Sequence, residues 1–184
     1  ADRTLDAGSV VDISYGDSPL TIRQGTYHMG SGNYERARAE FTDALEEKEA
    51  REFWLVPQAR YYLAEATRRD GEAGRQGLQE AAKLYREILD KHPKSRMVPF
   101  ALEGLGRVDL ALGDAAAAEQ QFEKLIADDK YGTMWTLRGK LGKARALSAQ
   151  GAGEKGLKLA EQVMKAASQP GLFDLRSQAE DART

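Results

Sequence analysis

The sequence predicts an all-α solenoid of about four helical hairpins, preceded by a short extended segment. Three observations carry that expectation. "GNYERARAEFTDAL" (residues 32–45) places Ala37, Phe41 and Ala44 on one helix face, at spacings of four and three. The pattern recurs with Ala81, Tyr85 and Ile88, with Ala118, Phe122 and Leu125, and more weakly with Gly156, Ala160 and Val163. Each copy also follows another helical segment with a small residue near its middle: Gly25, Ala64, Gly106 and Ala144. These small residues are 39, 42 and 38 apart, and the second-helix positions Ala37, Ala81, Ala118 and Gly156 are 44, 37 and 38 apart. A lone hairpin cannot bury both of its sides, so units with this period must stack.

The elements follow in chain order. "SVVDISYGDSP" (residues 9–19) alternates β-branched and polar residues and reads as a short strand ending in a turn. Ser18 is the expected N-cap of the first helix, with Pro19 following. Gly32, Gly71, Gly113 and Gly151 are expected to end the first helix of each hairpin. Pro57 and Pro99 each lie seven residues before a small position and suit a first helical turn, where a missing N–H is tolerated. The glycine-rich stretch "RRDGEAGRQGLQ" lengthens the second turn and accounts for the long first interval. "PGLFDLRSQAEDART" starts like a further first helix and then runs out. The expected organisation is an extended segment over residues 1–18, a repeat array over 19–168, and a capping helix or cut repeat over 169–184.

The 184 residues are 41% hydrophobic and 30% charged, a composition that supports a folded core. The net charge of -2 does not indicate a general polyanion binder, so no nucleic-acid partner is expected. The charge is uneven: residues 130–168 hold 8 Lys and Arg against 2 Glu, while residues 1–129 hold 17 against 24 Asp and Glu. With no cysteine, a disulfide framework and a thiolate zinc site are excluded. No window is apolar enough for a membrane span.

Catalytic patterns are missing. His28 and His92 fall in different units, so no histidine metal site is expected. The glycines of "GEAGRQG" lack the Gly-Lys-Ser/Thr ending of a phosphate loop, and there is no Gly-x-Ser-x-Gly elbow. Stretches such as "EEKE" read as solvated helix faces with i,i+4 pairing. The expectation is a non-enzyme without cofactor or metal.

The repeated pattern resembles the tetratricopeptide repeat (TPR) family over residues 19–167. "GNYERARAEFTDAL" is similar to the second half of such a repeat, "ALEGLGRVDLALGDAAAAEQQFEKL" spans most of one, and Pro93 sits at the late proline. Residues 85–114 are most similar to repeats of bacterial envelope proteins, the outer-membrane assembly lipoproteins and the Tol–Pal coordinator. The resemblance implies a right-handed solenoid that binds a protein or peptide in its concave groove, and a periplasmic or envelope location.

Carried over by repeat position, the implied groove residues are Tyr61, Glu65 and Arg68 in the second repeat, Phe100, Glu103 and Arg107 in the third, and Arg138, Leu141 and Arg145 in the fourth. Ile22, Thr26, Met29, Gln58 and Leu110 occupy further such positions. Arginine forks suit carboxylates, which implies an acidic partner segment. The rival readings are a docking or regulatory domain of a larger enzyme or envelope assembly, and a homodimer joined through the N-terminal strand; the oligomer expected is a monomer or weak homodimer.

Overall fold

A ring-and-receiver packing scheme, repeated along the chain, organises the helices. The computed structural model describes residues 19–46, 54–70, 74–167, 175 and 177–179. Among the described residues there is no strand. The expected strand over residues 9–19 therefore lies, except for Pro19, outside them, as do the 1–18 segment and most of 169–184.

The helices are α1 (Leu20–Gly30), α2 (Tyr34–Glu46), α3 (Leu55–Arg69), α4 (Gly74–Lys91), α5 (Val98–Leu112), α6 (Ala115–Ala127), α7 (Thr133–Ala149) and α8 (Gly153–Ala166). A 3-10 turn at Asp129–Tyr131 precedes α7. The described residues fall into two compact units, and the boundary between them lies between Val108 and Asp109 in α5.

Three of the four expected glycine turns are observed, and the fourth, at Gly71, lies outside the described residues. Gly32, Gly113 and Gly151 have φ of 75°, 88° and 83°, a region open to glycine at little cost. In each case the next N–H reaches back five residues: Asn33 to the His28 carbonyl at 2.9 Å, Asp114 to Asp109 at 2.9 Å, Ala152 to Leu147 at 2.9 Å. This is the Schellman closure of a helix end. The same next residue then starts the second helix. Asn33 Oδ1 accepts from the Arg36 N–H at 3.2 Å, and Asp114 Oδ1 from the Ala117 N–H at 2.9 Å.

Ala152 holds that place before α8 and has no side chain to cap with. Its φ and ψ of -92° and 44° are close to the -93° and 73° of Asp114. Ala152→Asp is expected to stabilise the chain by about 1 kcal/mol, read as a raised midpoint in chemical denaturation. At the first helix the expected cap moves by one residue. The Pro19 carbonyl accepts the first helical bond, from Arg23 at 3.2 Å, so Pro19 rather than Ser18 is the N-cap. Proline's fixed φ suits that entry, observed at -49°.

In the unit ending at Val108, α1 packs on α2, α2 on α3 and α3 on α4. Phe41, fully buried, lies against Gly25 of its own hairpin and stacks on Tyr62 of the next, with ring centroids 5.3 Å apart and 21° between planes. Tyr85, also fully buried, lies against Gly104 of α5. In the unit starting at Asp109, α6 packs on α7 and α7 on α8. There Phe122 lies against Gly142, where an added Cβ would come 2.3 Å from its ring. Tyr62, Gly104 and Gly142 each stand two residues before a small position, so one register serves all three joints.

The fourth hairpin has Ala160 where the others have a ring. Here α8 comes closer to α7 instead: an added Cβ on Gly156 would lie 2.7 Å from the Ala144 carbonyl. Leu175 and Ala179, helical and buried, cluster with Leu137, Leu141, Val163 and Ala167.

Candidate functional site

Two rows of side chains, one on α3 and one on α5, touch in the unit ending at Val108. On α3, Tyr61, Glu65 and Arg68 are spaced four and three apart, so they share one face. On α5, Phe100, Glu103 and Arg107 do the same at three and four. The rows join at their aromatic ends. Tyr61 and Phe100 pack edge to face with centroids 5.4 Å apart, and Tyr85 adds a third ring 6.3 Å from Tyr61. Both Tyr61 and Phe100 are partly buried, so neither is sealed in the core.

The charged ends differ from each other. Glu65 is 4% exposed and carries most of the local polar contacts. It accepts from Arg68 Nε at 3.2 Å and Arg68 Nη2 at 2.9 Å, from Arg69 Nε at 3.2 Å, and from the Tyr85 hydroxyl. Burial alone would raise the Glu65 carboxyl. The hydrogen bond and charge of Arg68, the Tyr85 hydroxyl and the charge of Arg69 outweigh it and hold the group below the usual carboxylate range. Tyr61 is pushed well above the ordinary phenol range, first by burial and then by the charges of Glu65 and Glu103, with Arg107 opposing.

Arg68 is thus committed through two nitrogens to a buried carboxylate. Arg107 bonds Glu103 through Nη2 at 2.8 Å, and its side chain keeps 34% exposure. Each arginine is already neutralised by a carboxylate of its own helix. The arginines therefore orient the row as much as they charge it.

The α7 residues belong to the other unit. The Arg138 guanidinium sits over the Trp135 ring, 5.1 Å from its centroid. Arg145, two turns on from Arg138, is half-buried. Leu141 is 2% exposed and packs in the cluster with Val163 and Leu175, so it offers almost no surface. Of the further positions, Ile22 is core, Met29 packs against that core, and Gln58 is 6% exposed and accepts from Arg96 at 3.1 Å. Leu110 packs against the cluster of Ala118, Phe122 and Ala146.

Sequence reasoning passed over Tyr85, Arg69 and Trp135 as site members. Tyr85 was legible only as a core ring, because nothing local says that its hydroxyl ends on Glu65. Trp135 could have been found: it stands three residues before Arg138, on the same helix face.

Among the described residues no group of three or more His, Asp or Glu side chains is placed to hold a metal, and no helix is long and apolar enough to cross a membrane.

No family model matches the chain, and no curated protein matches it. Solved structures do. One is a kinesin light chain-like protein of Podosopora anserina with nearly identical TPR-like repeats: TM-score 0.68, 19% identity, covering 89% of this chain and 82% of that one. A single-substitution variant of the same protein gives TM-score 0.68 and 18% identity, over 88% and 82%. At this identity the likeness speaks for the fold. The chain is an all-α array of TPR-like helical repeats, the class its sequence predicts.

Proposed function

We propose that the chain is a non-catalytic scaffold that binds a segment of a partner protein on the α3–α5 face. The observation that carries this reading is the Tyr61–Phe100 pair, two half-buried rings in edge contact between two helices. Rigid aromatic rings beside oriented arginines are what binding hot spots are made of, because little side-chain freedom is lost on contact. An apolar side chain of the partner seats on the rings. A carboxylate of the same segment meets Arg107, whose guanidinium is bonded to Glu103 through one nitrogen and whose side chain is partly exposed. Arg68 supports the face from behind by holding Glu65.

In the other unit, Arg138 and Arg145 on α7, within the basic stretch 130–168, favour an acidic segment as well. The resemblance of residues 85–114 to envelope repeat proteins favours an extracytoplasmic bacterial location. The organisation proposed remains an array over residues 19–168 with a cap after it, supported by the burial of Leu175 and Ala179.

The test is site-specific photo-crosslinking in an extract of the source, with the crosslinker at position 100 and, as control, at the exposed position 158. A partner crosslinked at 100 and not at 158 is expected, and its crosslinked segment is expected to hold Asp or Glu beside an apolar residue. Arg107→Ala is then expected to weaken binding of that segment by about 2–5 kcal/mol, while Lys158→Ala changes mainly on-rate and salt dependence. Equal crosslinking at both positions, or full affinity in Arg107→Ala, would overturn the reading.

A further inference from the structure

His92 sits where α4 ends, and the charges that act on its ring are those of Arg60 and Lys91. The backbone N–H of His92 donates to the Ile88 carbonyl at 2.9 Å, so the ring leaves the last turn of α4 at a fixed place. Its Nε2 lies 3.1 Å from Arg60 Nη1 of α3. Arginine is a donor only and stays charged. The contact therefore requires Nε2 to be the acceptor, which places the ring proton of a neutral His92 on Nδ1.

Of the other charged groups around it, two are acidic, Glu87 and, two residues before it on α4, Asp90. From α3, Arg60 also bonds Glu87 through Nε at 3.2 Å. From α4, Lys91 Nζ shares that Glu87 carboxylate at 3.3 Å. In the loop after His92, Lys94 follows and then Arg96, which donates to Gln58 of α3. Glu87 is thus already divided between two cations.

We propose that the Arg60–His92 contact is an acid-sensitive latch between α3 and the end of α4. With His92 neutral, Nε2 accepts from Arg60 and the two helices are tied. With His92 protonated, the same atom becomes a donor, two cations face each other, and the tie opens. The direction of the ring's titration agrees: burial, then Arg60, then Lys91 hold its pKa below the ordinary histidine value. A group whose folded pKa is lowered takes its proton more readily when unfolded. The stability tied to it is therefore full above the unfolded value, about 6.5, and is lost as the pH falls below that value. The effect lies in the fold itself and does not depend on any partner.

The experiment uses the full chain. The two histidine C2–H resonances are followed by NMR from pH 8 to 5 and assigned with His92→Gln. Thermal melts of wild type and variant are compared at pH 7.5 and 5.5. Glutamine can still accept from Arg60 but does not titrate. The expected results are a His92 midpoint below about 6.5, an upward shift of that midpoint in Arg60→Gln, and a smaller loss of melting temperature on acidification in His92→Gln than in wild type. His92→Lys, permanently cationic, is expected to melt lower than wild type at pH 7.5. A His92 midpoint at or above 6.5, a midpoint unmoved by Arg60→Gln, or the same acid loss in His92→Gln as in wild type would overturn the latch.

Discussion

Gly104→Ala is expected to destabilise the chain, although alanine is the better helix former. In a helix interior the exchange should gain about 1 kcal/mol. At Gly104, however, the new Cβ would lie 2.4 Å from Tyr85 Cζ and 2.8 Å from its hydroxyl oxygen. Tyr85 cannot easily withdraw. Its ring is fully buried, and its hydroxyl is bonded to Glu65. Overpacking of this kind costs about 1–3 kcal/mol and outweighs the propensity gain. A double-mutant cycle read by denaturant unfolding checks the cause. In a Tyr85→Leu background the same Gly104→Ala change should turn neutral or stabilising. If it destabilises equally in both backgrounds, the ring is not what excludes a side chain there.

The second large effect concerns Glu65. Glu65→Leu removes the one carboxylate that serves Arg68, Arg69 and the Tyr85 hydroxyl, and leaves half-buried Arg68 without its bidentate partner. Breaking a buried pair from one side costs about 3–5 kcal/mol. Tyr85→Phe, which takes away one bond to the carboxylate, should cost about 1.5–3 kcal/mol. The pH dependence follows from the lowered carboxyl. Its contribution is present above the unfolded value, about 4.3, and is lost as the pH falls through the folded value. The stability gap between wild type and Glu65→Gln should therefore be wide at pH 7 and narrow below pH 4. This window is separate from that of His92, so the two groups can be told apart by titration. A gap that stays constant into acid would mean that the carboxylate's charge is not what stabilises α3 against α4.

The repeat period was legible because packing of helix on helix is a local demand. Ala37, Phe41 and Ala44, and their counterparts through Val163, all read as buried from spacing alone, and all are. The turns were legible too, since Gly32, Gly113 and Gly151 meet a conformational need that few other residues can. The receivers Tyr62, Gly104 and Gly142 were harder to see. They differ chemically, and only the rings that press on them reveal that they are one position.

The candidate face was half legible. Repeat position brought Tyr61 and Phe100 to adjacent helices, but it could not say that Leu141 is filled in by Val163 and Leu175, or that Arg68 is spent on Glu65. Those outcomes depend on what lies across the interhelical space, which no local pattern encodes.

Each ring meets its receiver after a short run of chain: Phe41 and Tyr62 are 21 positions apart, Tyr85 and Gly104 are 19, and Phe122 and Gly142 are 20. Every joint can therefore close early, from within a single hairpin-length of sequence, with little loop-closure entropy to overcome. Contacts this close in sequence give a low contact order and fast folding that can start at more than one joint. The same locality makes the ring and its receiver the natural unit of inheritance. A duplication that copies both in one stretch carries a finished seam with it, whereas one that separates them leaves a ring facing a surface not shaped to take it.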